Sequence, residues 1–90
     1  MEITDVRVRK VEGDGKVKAM ASIVIDGVFL VRDIRIVEGP KGLFVAMPSR
    51  KLPDGEFRDV AHPITQEARE LIHQRILAEY EKISALEGSS

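Results

Sequence analysis

Ninety residues with a formal net charge of −1, 43% of them hydrophobic and 32% charged, have the composition of one ordinary globular domain and exclude intrinsic disorder. A nearly neutral balance also excludes a protein that coats nucleic acid indiscriminately, because such affinity scales with the number of phosphates neutralised; any polyanion site has to be a local patch. The chain has no cysteine, which removes disulfides and thiolate metal sites, and it has neither an apolar leader nor a run long enough to span a bilayer, so the expected location is a reducing cytoplasm, with no membrane partner.

In chain order, Ile3 to Val11 alternates as a strand, with Val6 and Val8 on one face and Asp5, Arg7 and Arg9 on the other. Glu12-Gly13-Asp14-Gly15 turns the chain. Lys16 to Ile25 and Val28 to Val37 are two long β-rich runs joined by Asp26-Gly27, a pair that suits the positive φ angles of a type I′ hairpin. A two-residue turn sets Ile25 against Val28, and counting outward sets Val17, Ala19, Ala21 and Ile23 against Ile36, Ile34, Arg32 and Leu30. The second face then pairs Lys16, Lys18, Met20, Ser22 and Val24 with Val37, Arg35, Asp33, Val31 and Phe29, polar at one end and apolar near the turn. One helix can hardly cover both faces of a sheet, so a second subunit is the expected cover of that apolar end. A chain this short buries a modest core, which points the same way.

Glu38-Gly39-Pro40-Lys41-Gly42 interrupts the pattern, Leu43 to Met47 reads as a short strand, and Pro48 stops it. Ser49 to Glu56 reads as a loop turning at Pro53-Asp54-Gly55, followed by a last strand from Phe57 to His62. Pro63 and Thr65 announce a long helix with the threonine as N-cap, on which Ala68, Ile72, Ile76 and Ile83 form an apolar stripe flanked by Leu71 and Tyr80. The expected fold is α+β, an antiparallel sheet of about five strands followed by the C-terminal helix. Residues 1–87 form its single domain and 88–90 a frayed tail.

No nucleophile elbow, phosphate-binding loop or dinucleotide fingerprint is present, so no catalytic residue, cofactor or small-molecule substrate is expected. His62 and Asp59 fall on opposite faces of the last strand, which argues against a base and its orienter. His73 reads as a surface histidine, and no metal site is expected. The basic residues carry more. Arg50 and Lys51 share a loop bounded by Pro48 and Pro53, whose restricted freedom lowers the entropy lost on binding phosphates. Arg58 follows on the next strand, and Arg69 and Arg75 on the helix. On spacing alone each is more simply a solvated charge, with Arg75 pairing with Glu79. Aromatic residues make up only 4% of the chain, which counts against a single-strand binder built on stacking platforms.

The runs Gly42-Leu43-Phe44-Val45-Ala46-Met47-Pro48-Ser49-Arg50, Pro53-Asp54-Gly55-Glu56-Phe57-Arg58-Asp59 and Ala61-His62-Pro63-Ile64, with the opening Glu2-Ile3-Thr4-Asp5-Val6-Arg7 and the run Asp33-Ile34-Arg35, resemble the signature of the SpoVG family, the bacterial stage V sporulation protein G or septation proteins. The resemblance covers nearly the whole chain and weakens over the last ten or so residues. It implies a strand-joined homodimer that binds double-stranded DNA, with RNA as a second ligand, and modulates gene expression, septation and, in spore formers, sporulation. It associates binding with the basic loop, here Arg50 and Lys51, and with the first half of the helix, here Gln66-Glu67-Ala68-Arg69-Glu70-Leu71. Arg50 and Lys51 would then hold phosphates while Gln66 and Arg69 read bases. The alternative reading is an adaptor of division or regulatory proteins that binds no nucleic acid.

Overall fold

A computed structural model describes residues 1–13 and 15–88, with side chains through residue 85. The described residues form six strands, β1 (Ile3–Lys10), β2 (Val17–Ile25), β3 (Phe29–Gly39), β4 (Gly42–Ala46), β5 (Ser49–Lys51) and β6 (Phe57–Asp59), and one helix, α1 (Gln66–Gly88). The α+β class is the expected one. Of the expected tail, Gly88 is the last residue of α1, and Ser89 and Ser90 lie outside the described residues.

Strands β1 to β4 form one antiparallel sheet in sequence order, and β5 with β6 a separate two-stranded ribbon. The segment read as a loop therefore begins with a three-residue strand, and the last strand ends at Asp59 instead of His62. Turn chemistry accounts for the ribbon. Gly55 takes a φ of 91°, its N–H donates to the Leu52 carbonyl at 2.9 Å, and the Leu52 N–H donates to the Glu56 carbonyl at 2.7 Å. Asp54 Oδ1 accepts from the Glu56 N–H at 3.0 Å. The flanking residues are thereby aligned to pair.

The hairpin between β2 and β3 keeps its left-handed turn but not its expected register. Asp26 and Gly27 have φ of 53° and 70°, and the Val28 N–H donates to the Ile25 carbonyl at 3.1 Å. The ladder nevertheless pairs Ile25 with Phe29, leaving Val28 in the loop. A second irregularity sets Arg32 and Asp33 together against Ser22, with Asp33 at φ 62°, a conformation that aspartate tolerates better than most residues. Ala19, Ala21 and Ile23 consequently face Ile36, Ile34 and Val31. The bulge corrects the expected pairing of Ala21 with Arg32: it keeps the arginine off the apolar face and puts Val31 there instead. The same ladder carries a bulge at Lys18 of β2, and a further one at Thr4 in β1 is filled by hydrogen bonds, since Thr4 Oγ1 accepts from the Gly27 N–H at 2.9 Å.

One face of the sheet is covered by α1. Ile3, Ala19, Ala21, Ile23, Ile34, Ile36, Ile72 and Ile76 form the buried core, and the two alanines leave room for the helix isoleucines. Leu71, Leu77 and Tyr80 pack against its margin. The helix starts as predicted, with Thr65 Oγ1 accepting from the Ala68 N–H at 3.1 Å. Thr65→Ala is expected to cost about 1 kcal/mol of stability in a urea titration at fixed protein concentration.

Candidate nucleic-acid interface

The ribbon brings two of the predicted cations together in a way that spacing does not reveal. Arg50 of β5 lies directly opposite Arg58 of β6, flanked by the pairs Ser49 with Asp59 and Lys51 with Phe57. Facing positions in an antiparallel ladder put their side chains on the same side, so the two guanidinium groups share one face of the ribbon, and like charges so placed destabilise it. Arg50, Lys51 and Arg58 are all exposed, and among the described residues none of them has a carboxylate partner. The ion pairs found there are Arg7 with Asp5, Lys18 with Glu38 and Lys82 with Glu79. An anion on the arginine face would relieve the repulsion. Lys51 occupies the other face, opposite Phe57 and near the turn, and is exposed.

The helix residues are placed differently. Gln66 Nε2 donates to Glu70 Oε1 at 3.2 Å within the first turns. Arg75 Nη1 donates to the Ile3 carbonyl at 2.8 Å and so ties α1 to β1, rather than pairing with Glu79. Arg69 lines a cavity of about 350 Å³ beside β4, together with Arg35, Asp59, His62 and His73. Ending β6 at Asp59 thus brings Asp59 and His62 to one cleft, although a strand continued to His62 would have kept them apart. His62 Nδ1 lies 3.1 Å from the Pro63 carbonyl oxygen.

Arg35 is the site residue that sequence reasoning missed. Its Nη2 donates to Ser49 Oγ at 3.3 Å, which links the base of the ribbon to the sheet face opposite α1. The alternation of β3 marked Arg35 as outward-facing, but no local signal connects it with Ser49. Along the free edge of the sheet, β4 reads Gly42-Leu43-Phe44-Val45-Ala46 without a charge, and Leu43 and Phe44 are exposed. The opposite edge, β1, carries Asp5, Arg7, Arg9 and Lys10.

The SpoVG family model matches residues 1–82. Curated relatives carry the name "Putative septation protein SpoVG". That of Clostridium kluyveri is 59% identical over 83 residues, covering 92% of this chain and 86% of the relative. Its counterpart in Clostridium perfringens is 56% identical over 87 residues, 97% of each chain, and that of Brevibacillus brevis 54% identical over 90 residues, 100% of this chain and 95% of its own. The chain belongs to the SpoVG family.

The SpoVG match contains the whole ribbon, the cleft beside β4 and the first half of α1, so every candidate residue lies within it. The SpoVG name refers to septation and not to a catalysed reaction. Among the described residues no helix is long and apolar enough to cross a membrane, and no group of three or more histidine or acidic side chains is placed to hold a metal ion.

Proposed function

We propose that this chain is a cytoplasmic nucleic-acid-binding regulator that works as a homodimer and affects septation, and sporulation where the host forms spores. The observation that carries the reading is the exposed Arg50 and Arg58 pair, like charges facing each other across the ribbon with no carboxylate partner among the described residues. Double-stranded DNA is the expected ligand and RNA a second. Lys51 adds an exposed cation near the ribbon turn, and Arg69 with Gln66 at the start of α1 remain the candidates for base contact.

The uncharged edge of β4 supports the dimer. Exposed edges are normally blunted by charge, as β1 is, and an apolar unpaired edge is a template for a second strand. Pairing β4 with its copy across a two-fold axis would bring both ribbons to one assembly and double the small cationic patch. The test is mass in solution and titration with a labelled DNA duplex on the same sample. The expected result is a dimer forming a saturable complex that weakens with salt, and a monomer without such a complex at low ionic strength sinks the reading. In the same assay Lys51→Ala should reduce the slope of log affinity against log salt by roughly 1 to 2, about one charge per protomer.

One feature favours the adaptor reading. Phe29, Leu30, Phe57 and Val60 are exposed and line a common hollow of about 670 Å³. An adaptor would show no saturable nucleic-acid complex and would lose its protein partner when Phe57 is replaced by a polar residue.

A further inference from the structure

The sheet face opposite α1 is uncovered across β1, β2 and β3, and its charge is lopsided. The ladder aligns Arg9 of β1 with Met20 of β2 and Met20 with Arg35 of β3, so two arginines flank one methionine in a single row. Neighbouring strands are about 4.8 Å apart, which sets the two arginine backbones about 10 Å apart. In the next row Arg7 pairs with Ser22, and the bulge that removed Arg32 from the core turns it outward at the same level. Arg7, Arg9, Met20, Ser22 and Arg32 line one shallow hollow of about 510 Å³. A second hollow shares Met20, Arg32 and Asp33 with it and continues past Arg35 to Ser49 and Phe57 of the ribbon.

Among the described residues that line the two hollows the one acid is Asp33, and Asp5 of β1 already holds Arg7 at 3.1 Å. Arg9 and Arg32 have no carboxylate or hydrogen-bond partner among the described residues. The helix, by contrast, carries four acidic residues (Glu67, Glu70, Glu79, Glu81) against three basic ones (Arg69, Arg75, Lys82) among those whose side chains are described. Beyond Arg69 the cations of α1 are already engaged, Arg75 by the Ile3 carbonyl and Lys82 by Glu79, so a polyanion approaching the ribbon finds its further contacts on the sheet.

We propose that the nucleic-acid footprint runs from the Arg50 and Arg58 face of the ribbon, past Arg35, onto the uncovered sheet face, with Arg9 and Arg32 as phosphate contacts. This rests on the nucleic-acid reading above and deepens it by naming a second element of the interface. The occupant is a phosphate backbone because the hollow around Arg9 and Arg32 is lined by guanidinium groups, a serine and a methionine floor and by no aromatic ring, which suits backbone tracking better than base stacking. B-form DNA carries one charge per about 1.7 Å of axis, so a row about 10 Å wide meets several phosphates.

The test is fluorescence anisotropy of a labelled 20-base-pair duplex at four salt concentrations. The proteins are wild type, Arg9→Gln with Arg32→Gln, Arg9→Lys with Arg32→Lys, and Lys82→Ala as a distant control, each checked for fold by circular dichroism. The glutamine pair should reduce the log–log salt slope by about 2 per protomer, the lysine pair should keep most of it, and Lys82→Ala should leave it unchanged. An unchanged slope for the glutamine pair, with wild type binding normally, confines the footprint to the ribbon and overturns the inference while leaving the nucleic-acid reading intact. Loss of slope in the glutamine pair accompanied by a change of mass in solution also overturns it, because the face would then be a contact between copies. Absence of any saturable complex with wild type sinks the nucleic-acid reading itself.

Discussion

Ile36→Ala is expected to lower the free energy of unfolding by about 3 kcal/mol and the midpoint of thermal unfolding by roughly 12 to 24 °C. Ile36 is fully buried at the centre of β3, facing Ala19 on one side and Val45 on the other. Ala19 is too small to fill the space an alanine would leave, and the neighbouring isoleucines are held by the sheet and by α1, so the site cannot collapse. Domains of this kind are stable by only about 5 to 15 kcal/mol, which makes the loss severe. Ile64→Ala is the contrast: its side chain is 89% exposed, and the change should stay within about 0.5 kcal/mol. Both are to be measured by urea denaturation at one protein concentration, because association would add to apparent stability. A cost below about 1 kcal/mol for Ile36→Ala would mean that the sheet and helix do not meet as described.

Arg58→Glu separates folding from binding by moving them in opposite directions. A carboxylate opposite Arg50 converts a repulsive cross-strand pair into an attractive one, so the ribbon should gain a few tenths of a kcal/mol. Affinity for a DNA duplex at low salt should fall by about 100-fold, since each protomer loses a charge-assisted contact, roughly 1.5 kcal/mol apiece, and Arg50 is neutralised besides. Isothermal titration gives the affinity and a thermal melt the stability. A variant that binds as tightly as wild type would take the ribbon's arginine face out of the interface.

Part of this was legible in the residues. Alternation marked β1 to β4, Asp26-Gly27 and Pro53-Asp54-Gly55 marked the turns, and Thr65 marked the start of the helix, because each signal depends on a few adjacent residues and their backbone preferences. The buried stripe of α1 followed from its period in the same way. Register did not follow: the β2–β3 ladder carries two bulges and β1 one, and that at Arg32 and Asp33 depends on which pairing buries valine in place of arginine across the whole sheet. The ribbon was missed for a related reason: three-residue strands are too short to show alternation, and only the turn between them holds them in line.

The candidate site divides along the same boundary. The sequence on its own fixed the fold class, the family and the presence of a basic segment at Arg50, Lys51 and Arg58, all of which are written in local pattern and residue identity. Tertiary structure alone decided that Arg50 faces Arg58, that Arg75 is spent on the Ile3 carbonyl, and that Arg9, Arg32 and Arg35 share one uncovered surface. The physical reason is that charge acts through space: whether a cation meets a carboxylate, a carbonyl or another cation depends on register and on crossings between elements, and neither is contained in any short stretch of chain.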